Sequence, residues 1–357
     1  MRVLHSTLSK KPIPGIVNQI YLEQLAAESL GITWESILCV AEKSKQYSNE
    51  KKRVINKLKF DNWFLLRLAY YKLLMSKIDD FDVLLLRHNT SNPLEYYFLK
   101  KINKPVFLVH HTLEGYELLS NSSIKAKIKY SIERLYGDLS IKNAHGIIGV
   151  TDEIFSYENK RTNNKFKNKI TYPNGIFYNG IELLDSRDLV VPEILFIASD
   201  FVPWHGLDLI LNELKNTNEE FILNIVGKVY QADISKAKKD NRVILHGLLN
   251  KDEMTEIIER SWIGLSSFAL ERKNMKEACT LKVREYLNGG LPVYSGHRDI
   301  FPESFPYYKE GKPEFNEILS YAKKMRLMTK EEVRVLARPY IDKTILLETL
   351  YKNIKEY

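Results

Sequence analysis

Short apolar runs alternate with longer segments of helical periodicity along most of the 357 residues, and after one break the alternation starts again. In the first half, Val3–Leu4, Ile37–Val40, Val83–Leu86, Val106–Val109 and Gly146–Val150 read as strands. Between them lie helical patterns such as Val17, Ile20, Tyr21 and Leu25. Ile170–Tyr172 is followed by the turn signal Pro173-Asn174-Gly175, and a loop of low periodicity runs to about Val191. The second half repeats the pattern with strands at Ile194–Ala198, Phe221–Val226, Val243–Leu245 and Trp262–Leu265. Helical spacing appears at Leu207, Ile210, Leu211 and Leu214, and again at Met254, Ile257 and Ile258. Strands and helices in this order imply parallel sheets covered on both faces. Two such units in tandem predict an α/β protein of two Rossmann-like, doubly wound domains facing a cleft. Ligands of such folds bind at the carboxyl ends of the strands, and clefts between domains are favoured pockets.

Composition narrows the function classes. No run of about 18 apolar residues occurs, and the polar loop after the first strand does not fit a signal peptide, so a cytoplasmic protein is expected. The two cysteines, Cys39 and Cys279, define neither a disulfide framework nor a zinc site. The net charge of +8 is unevenly placed: residues 1–185 hold 27 Lys/Arg against 19 Asp/Glu, while residues 186–357 hold 26 of each. A basic face can meet nucleic acid, anionic lipid or an anionic substrate. With no recognisable nucleic-acid module in the chain, nucleic acid is not expected as a partner, and peripheral contact with an anionic membrane is the better fit. Lys51–Ile78 combines Lys and Arg with Phe60, Trp63, Phe64, Tyr70 and Tyr71, and Ile124–Leu135 adds Lys125, Lys127, Lys129 and Arg134. Such residues suit a lipid interface, and they equally suit the packing of an amphipathic helix.

The run Glu-Ala-Cys-Thr-Leu-Lys-Val-Arg-Glu-Tyr-Leu-Asn-Gly-Gly-Leu-Pro-Val (277–293) carries the densest chemistry. Thr280 suits a helix N-cap, with Leu281, Tyr286 and Leu287 facing a core and Gly289, Gly290 and Pro292 ending the helix. Glu277 then lies in the loop before the helix and Glu285 inside it. A helix that starts between two carboxylates offers free N–H groups to a phosphate and acceptors to hydroxyls on either side. A sugar nucleotide has that layout of sugar, diphosphate and ribose. Solvated helix charges are the plainer reading of the pair.

Several blocks in order resemble retaining glycosyltransferases of the GT-B fold, specifically glycosyltransferase family 4. They are Tyr172-Pro173-Asn174-Gly175-Ile176, Ile194–Ala198, Trp204-His205-Gly206-Leu207-Asp208, Asn224-Ile225-Val226-Gly227, Val243-Ile244-Leu245-His246-Gly247, and the Glu-x7-Glu segment with Gly290-Leu291-Pro292-Val293. They span about residues 140–300, and the first 140 residues match only loosely. The resemblance implies an N-terminal acceptor-side domain over 1–180 and a C-terminal nucleotide-sugar-binding domain over 190–335. A C-terminal helix over 336–357 would pack back toward the first domain. It implies sugar transfer from a nucleoside-diphosphate sugar to a saccharide or lipid-linked saccharide, with retention at the anomeric carbon and no metal or other cofactor. A surface polysaccharide of a bacterium is the expected destination.

By the same resemblance, Glu277 contacts donor-sugar hydroxyls and Glu285 the ribose, while the N–H groups of Thr280 and Leu281 face the diphosphate. Asn174 at the domain junction and Gly206 join the donor-binding set. Many relatives carry an Arg after the first strand of the second domain and a Lys before the glycine of the next helix. Here those places hold Ala198-Ser199 and His205. Lys282 and His205 are the substitute cations expected, Lys282 foremost, with Arg284 also nearby. In the first half, Gly15 is expected in the first strand-to-helix loop, near the phosphates or the acceptor. His110 and His111, at a strand end, are expected to touch the transferred sugar, and Arg87 and His88 to serve the acceptor side, with Glu114 a weaker candidate. The missing Arg/Lys pair leaves a second reading, a catalytically idle GT-B subunit that stabilises or targets a partner enzyme. A sugar-nucleotide epimerase fits the glutamate spacing less well, and the chain has no Gly-x-Gly-x-x-Gly of a dinucleotide dehydrogenase.

Overall fold

The computed structural model describes residues 1–43, 48–119, 123–178, 180, 182–187 and 190–357; parts of the loop anticipated before Val191 lie outside them. The chain divides into two compact units, Met1–Phe177 with Lys343–Tyr357, and Tyr178–Asp342. Among the described residues, no helix is long and apolar enough to cross a membrane.

The first unit holds strands β1 (Val3–Ser9), β2 (Trp34–Ala41), β3 (Ile55–Leu58), β4 (Val83–Arg87), β5 (Val106–His110), β6 (Gly146–Gly149) and β7 (Ile170–Thr171). They pair in the order β3-β2-β1-β4-β5-β6-β7, and every pair is parallel. Its helices are α1 (Pro14–Leu30), α2 (Asn49–Lys52), α3 (Trp63–Lys77), α4 (Pro93–Lys101), α5 (Glu114–Leu119), α6 (Ile124–Ile132), α7 (Asp138–Asn143) and α8 (Asp152–Lys160). Successive strand residues point to opposite faces. Leu84 and Leu86 therefore enter one core with Leu4, Leu66 and Leu108, while Val83 and Leu85 enter another with Phe107 and Val109. Burial on both faces is why these strands read as unbroken apolar runs. The last helix, α15 (Lys343–Glu356), places Leu347, Leu350 and Ile354 in the second of these cores, and the Tyr351 hydroxyl donates to the Met1 carbonyl at 2.8 Å.

The second unit holds β8 (Glu193–Asp200), β9 (Ile222–Lys228), β10 (Val243–Gly247), β11 (Ile263–Leu265), β12 (Val293–Ser295) and β13 (Tyr308–Glu310), in the parallel order β10-β9-β8-β11-β12-β13. Its helices are α9 (Leu207–Glu213), α10 (Gln231–Ala237), α11 (Lys251–Arg260), α12 (Leu281–Asn288), α13 (Phe315–Met325) and α14 (Lys330–Ile341). Both sheets reverse their winding beside their first strand, between β1 and β4 and between β8 and β11. That switch point is where the connections diverge and a ligand can enter at the strand ends.

A backbone irregularity shapes the switch point of the second unit. The β8–β9 register shifts between Ile197 and Asp200, and the Ala198 carbonyl turns toward Gly227. Gly227 has φ +128°, and a Cβ there would lie 1.6 Å from that carbonyl oxygen. Only glycine fits both constraints. Gly227→Ala should therefore cost more than about 2 kcal/mol. Urea denaturation should show a lower midpoint; an unchanged midpoint would remove Gly227 as the determinant of this turn.

Candidate functional site

At the switch point of the second unit, the chain leaving β8 forms a short 3-10 turn, Pro203–His205, and enters α9 through Gly206. Gly206 has φ +71°, and an added Cβ would meet Phe268 Cβ at 2.9 Å. The Phe268 N–H donates to the His205 carbonyl at 2.9 Å, tying the end of β11 to this loop. The missing side chain thus lets two strand ends meet.

The N-terminus of α12 belongs to the same region. Thr280 occupies the N-cap position (φ −84°, ψ 143°), but its side chain makes no capping bond, and its hydroxyl is buried without a hydrogen-bond partner. The Thr280 side chain therefore takes none of the first N–H groups of α12, which begin with Leu281. Two contacts hold this helix start. The Arg284 guanidinium makes a fully buried two-point ion pair with Asp299, at 2.5 and 2.6 Å. The Ala278 N–H donates to the Arg298 carbonyl and the Arg298 N–H to the Lys276 carbonyl. Arg284 is thereby committed to structure. Glu277 sits in the stitched loop, half-buried, with the exposed Arg298 guanidinium 3.9 Å away. Beside this loop lies a recess of about 350 Å³ lined by Leu270, Lys276, Gly296, His297, Arg298 and Glu310.

Lys282 is the unusual group. Its ammonium is buried, has no hydrogen-bond partner, and lies 5.4 Å from the centre of the Phe196 ring. Burial lowers its pKa to about 7, against the pull of Glu285. Glu285 remains accessible, yet its packed surroundings raise its carboxyl above the ordinary range, with Lys282 acting the other way. His205 does not supply the second cation expected of it. Burial first, and then the charge of Lys282, lower its pKa to about 3, so the ring is neutral. Its Nδ1 accepts from the Val202 N–H at 3.2 Å, which makes it a brace for the 3-10 turn.

In the first unit, the two consecutive pairs of candidates separate by strand alternation. Arg87 and His111 line a small cavity with His5, Thr7, Glu23 and Asn174. Its volume is about 20 Å³, room for about one water, and His5 Nε2 and Thr7 Oγ1 are buried there without partners. Glu23, held near pKa 2 despite burial by its bonded neighbour His5, accepts from Ser36 and Trp34 as well. Lys343 of α15 completes the wall, 4.1 Å from the Tyr172 ring and 3.3 Å from Gln19. Burial and the Arg87 charge keep His111 neutral. Gly15 is not in the strand-to-helix loop where it was expected: α1 begins at Pro14, which is preset for a first helical turn, and Gly15 falls within that turn.

His88 and His110 instead point into a sealed ionic network, their rings stacked at 4.8 Å. His88 bonds Glu95 at 2.5 Å and Glu133 at 3.1 Å, and these carboxylates hold its pKa well above the usual value against burial. Arg161 bonds Glu133, Asp138 and Glu158 at 2.8, 2.6 and 2.7 Å. His110, 3.3 Å from Glu114, is kept neutral by burial with a pKa near 4, and burial lifts Glu158 to about 7. Ligand-type atoms of His110, Glu114 and Glu158 lie within 4.8 Å of one another, a spacing that could hold a cation, although Arg161 already serves Glu158 as counter-charge. Neither His88 nor His110 is open to an acceptor or a sugar. Glu133 gave no local signal in the sequence, because its partners His88 and Arg161 lie 45 and 28 residues away.

His88→Leu should cost about 3–5 kcal/mol, because it leaves Glu95 buried without a counter-charge and takes one of two from Glu133. The folded pKa of His88 is raised, so its contribution is complete below the ordinary histidine value of about 6.5 and is lost as pH rises through the folded value. Denaturation across pH should show the gap between wild type and variant narrowing at alkaline pH; a constant gap would mean His88 is uncharged.

No protein-family model and no curated sequence matches the chain. Solved structures do. The lipopolysaccharide outer core galactosyltransferase WaaB, in its apo form, superposes with a TM-score of 0.68 at 10% identity, over 100% of this chain and 99% of that one. A glycosyltransferase from Rickettsia africae gives 0.68 at 13% identity, over 99% and 98%. Anabaena HepE in complex with UDP-glucose gives 0.62 at 12% identity, over 100% of both chains. With its two parallel, doubly wound sheets, the chain has the GT-B fold of the glycosyltransferases.

Proposed function

We propose that the chain is a retaining glycosyltransferase that moves a sugar from a nucleoside-diphosphate sugar to a saccharide or lipid-linked saccharide. The observation that carries this reading is the unpartnered Lys282 ammonium beside the uncapped N-terminus of α12, between Glu277 and Glu285. The helix N–H groups and Lys282 receive the diphosphate. Glu285 accepts from the ribose hydroxyls and Glu277 from hydroxyls of the donor sugar. As the diphosphate leaves, its growing charge is met by a cation and dipoles already aimed at it. The acceptor hydroxyl attacks the anomeric carbon from the face the diphosphate leaves, and its proton passes to a departing phosphate oxygen. Arg87, His111 and Lys343 place donors on the acceptor side. No metal is part of this mechanism. HepE, of the same fold, is solved with UDP-glucose, which supports a nucleotide-sugar donor here.

The donor should reveal itself in a thermal-shift screen against UDP-, GDP-, ADP- and CMP-sugars, since a ligand at 100 times its Kd adds about 2.7 kcal/mol of stability. Glu277→Ala should then lower turnover roughly 10- to 150-fold, the equivalent of losing a charged hydrogen bond of about 1.5–3 kcal/mol. Absent turnover by wild type with a donor that binds would favour an idle, partner-stabilising subunit, the reading left open by the missing Arg/Lys pair. No shift with any of the donors would overturn the transferase reading and leave the idle subunit.

Lys282→Met separates stability from function. The folded pKa is near 7 and the unfolded value near 10.4, so the unfolded chain binds more protons between them. The penalty on the unliganded protein is complete below pH 7 and fades as pH rises. The variant should therefore melt higher than wild type at pH 6, with the difference shrinking toward pH 10. It should also bind donor more weakly, and lose the decline in donor affinity that wild type shows as pH rises past 7. A variant that melts lower and binds donor normally would take Lys282 out of the site.

A further inference from the structure

We infer that one face of the first unit docks on an anionic phospholipid bilayer, with an apolar groove between α3 and α4 taking a lipid acyl chain. On α3, Phe64, Leu68 and Met75 share one exposed stripe, Phe64 with 61% of its surface open. Tyr71 lies buried beneath it. The facing side of α4 brings Leu94, Tyr97 and Phe98. Between the helices runs a groove of about 320 Å³ lined by these apolar side chains, with Lys72 and Lys101 at its rim. That volume is in the range of small-ligand pockets.

The patch continues beyond the groove. The Tyr97 ring meets Tyr136 at 6.3 Å. Tyr136 lies in the π-helical turn that prolongs α6. Along α6 and that turn, Ile124, Ile128 and Leu135 recur at helical spacing, with Ile124 78% exposed. Exposed Lys125, Lys127, Lys129 and Arg134 flank them. An apolar strip rimmed by cations is what an anionic lipid interface selects. A contiguous exposed apolar surface on this scale marks an interaction site.

Charge commits the face to lipid. The helix α3 carries no carboxylate at all. Glu95 of α4 and Glu133 beside α6 are buried, bonded to His88 and Arg161. Asp138 pairs with Arg161 and Arg134. The lysines of the face are thus left to act outward on a negative surface, while the apolar side chains enter the acyl boundary.

The test is co-sedimentation with vesicles of phosphatidylcholine alone and with added phosphatidylglycerol. Wild type should pellet with the anionic vesicles only, and less as salt is raised. Leu68→Asp with Ile128→Asp, and separately Lys72→Glu with Lys101→Glu, should each lower binding at least roughly ten-fold. The positions are exposed, so melting temperature and donor-induced shift should stay at wild-type values, which keeps this inference separable from the donor site. Wild type remaining in the supernatant with anionic vesicles would overturn it. So would variants that bind as wild type does, or a concentration-dependent oligomer that the variants abolish in the absence of lipid binding, which would make the face a protein interface.

Discussion

The buried ion pair between Arg284 and Asp299 holds the second unit's site in place. A guanidinium and a carboxylate at 0% exposure are stable only because each satisfies the other at two points. Arg284 projects from α12, and Asp299 lies in the loop after β12, so the pair fastens the helix to the sheet edge. The exchanged backbone bonds between residues 276–278 and 298 extend that fastening to the loop carrying Glu277. The start of α12 is consequently rigid without a side-chain cap. A helix start that is held in place and whose N-cap side chain takes none of its first N–H groups has its binding capacity organised before any ligand arrives.

Much of the fold was legible because both faces of each sheet are covered. Parallel strands buried on both sides leave unbroken apolar runs, and the long helices between them leave a 3.6-residue spacing. β3 and β13 escaped the reading for the opposite reason. They sit at sheet edges, Ile55-Asn56-Lys57-Leu58 and Tyr308-Lys309-Glu310, where polar residues are solvated and the apolar signal is diluted. At the site, the Glu277/Glu285 spacing and Lys282 could be read from one contiguous segment. Asp299, Glu23, Glu133 and Lys343 could not. Each acts through a partner brought close by tertiary structure, as with Lys343 and Gln19.

The histidines show how a one-residue difference redirects chemistry. His110 ends β5 and His111 follows it, just as Arg87 ends β4 and His88 follows. Spacing alone treats each pair as equivalent. The β4–β5 register sets Arg87 beside Val109, and the His88 N–H donates to the Val109 carbonyl. His88 and His110 therefore stack on the inner side, where carboxylates keep the first charged and burial keeps the second neutral. Arg87 and His111 reach the polar cavity at the switch point instead. The sealed network then stiffens the strand ends that carry the accessible pair.

The two units handle positive charge in different ways, and the difference follows from burial. In the first, Arg161 and His88 are enclosed with more carboxylates than they neutralise, so they hold structure together and project little field outward. The basic excess that remains lies on the exposed helices, where solvent screens each lysine and only their number creates a field. In the second unit, residues 178–342 hold 23 Lys/Arg against 26 Asp/Glu, yet the Lys282 ammonium is buried without a hydrogen-bond partner. Lys282 gains little from the Phe196 ring relative to the water it has lost. An arrangement that raises the energy of the unliganded protein makes an incoming anion more favourable by a related amount, because the anion relieves a penalty already present. Net charge therefore says little about where this chain handles anions; the position of one unsatisfied cation says more.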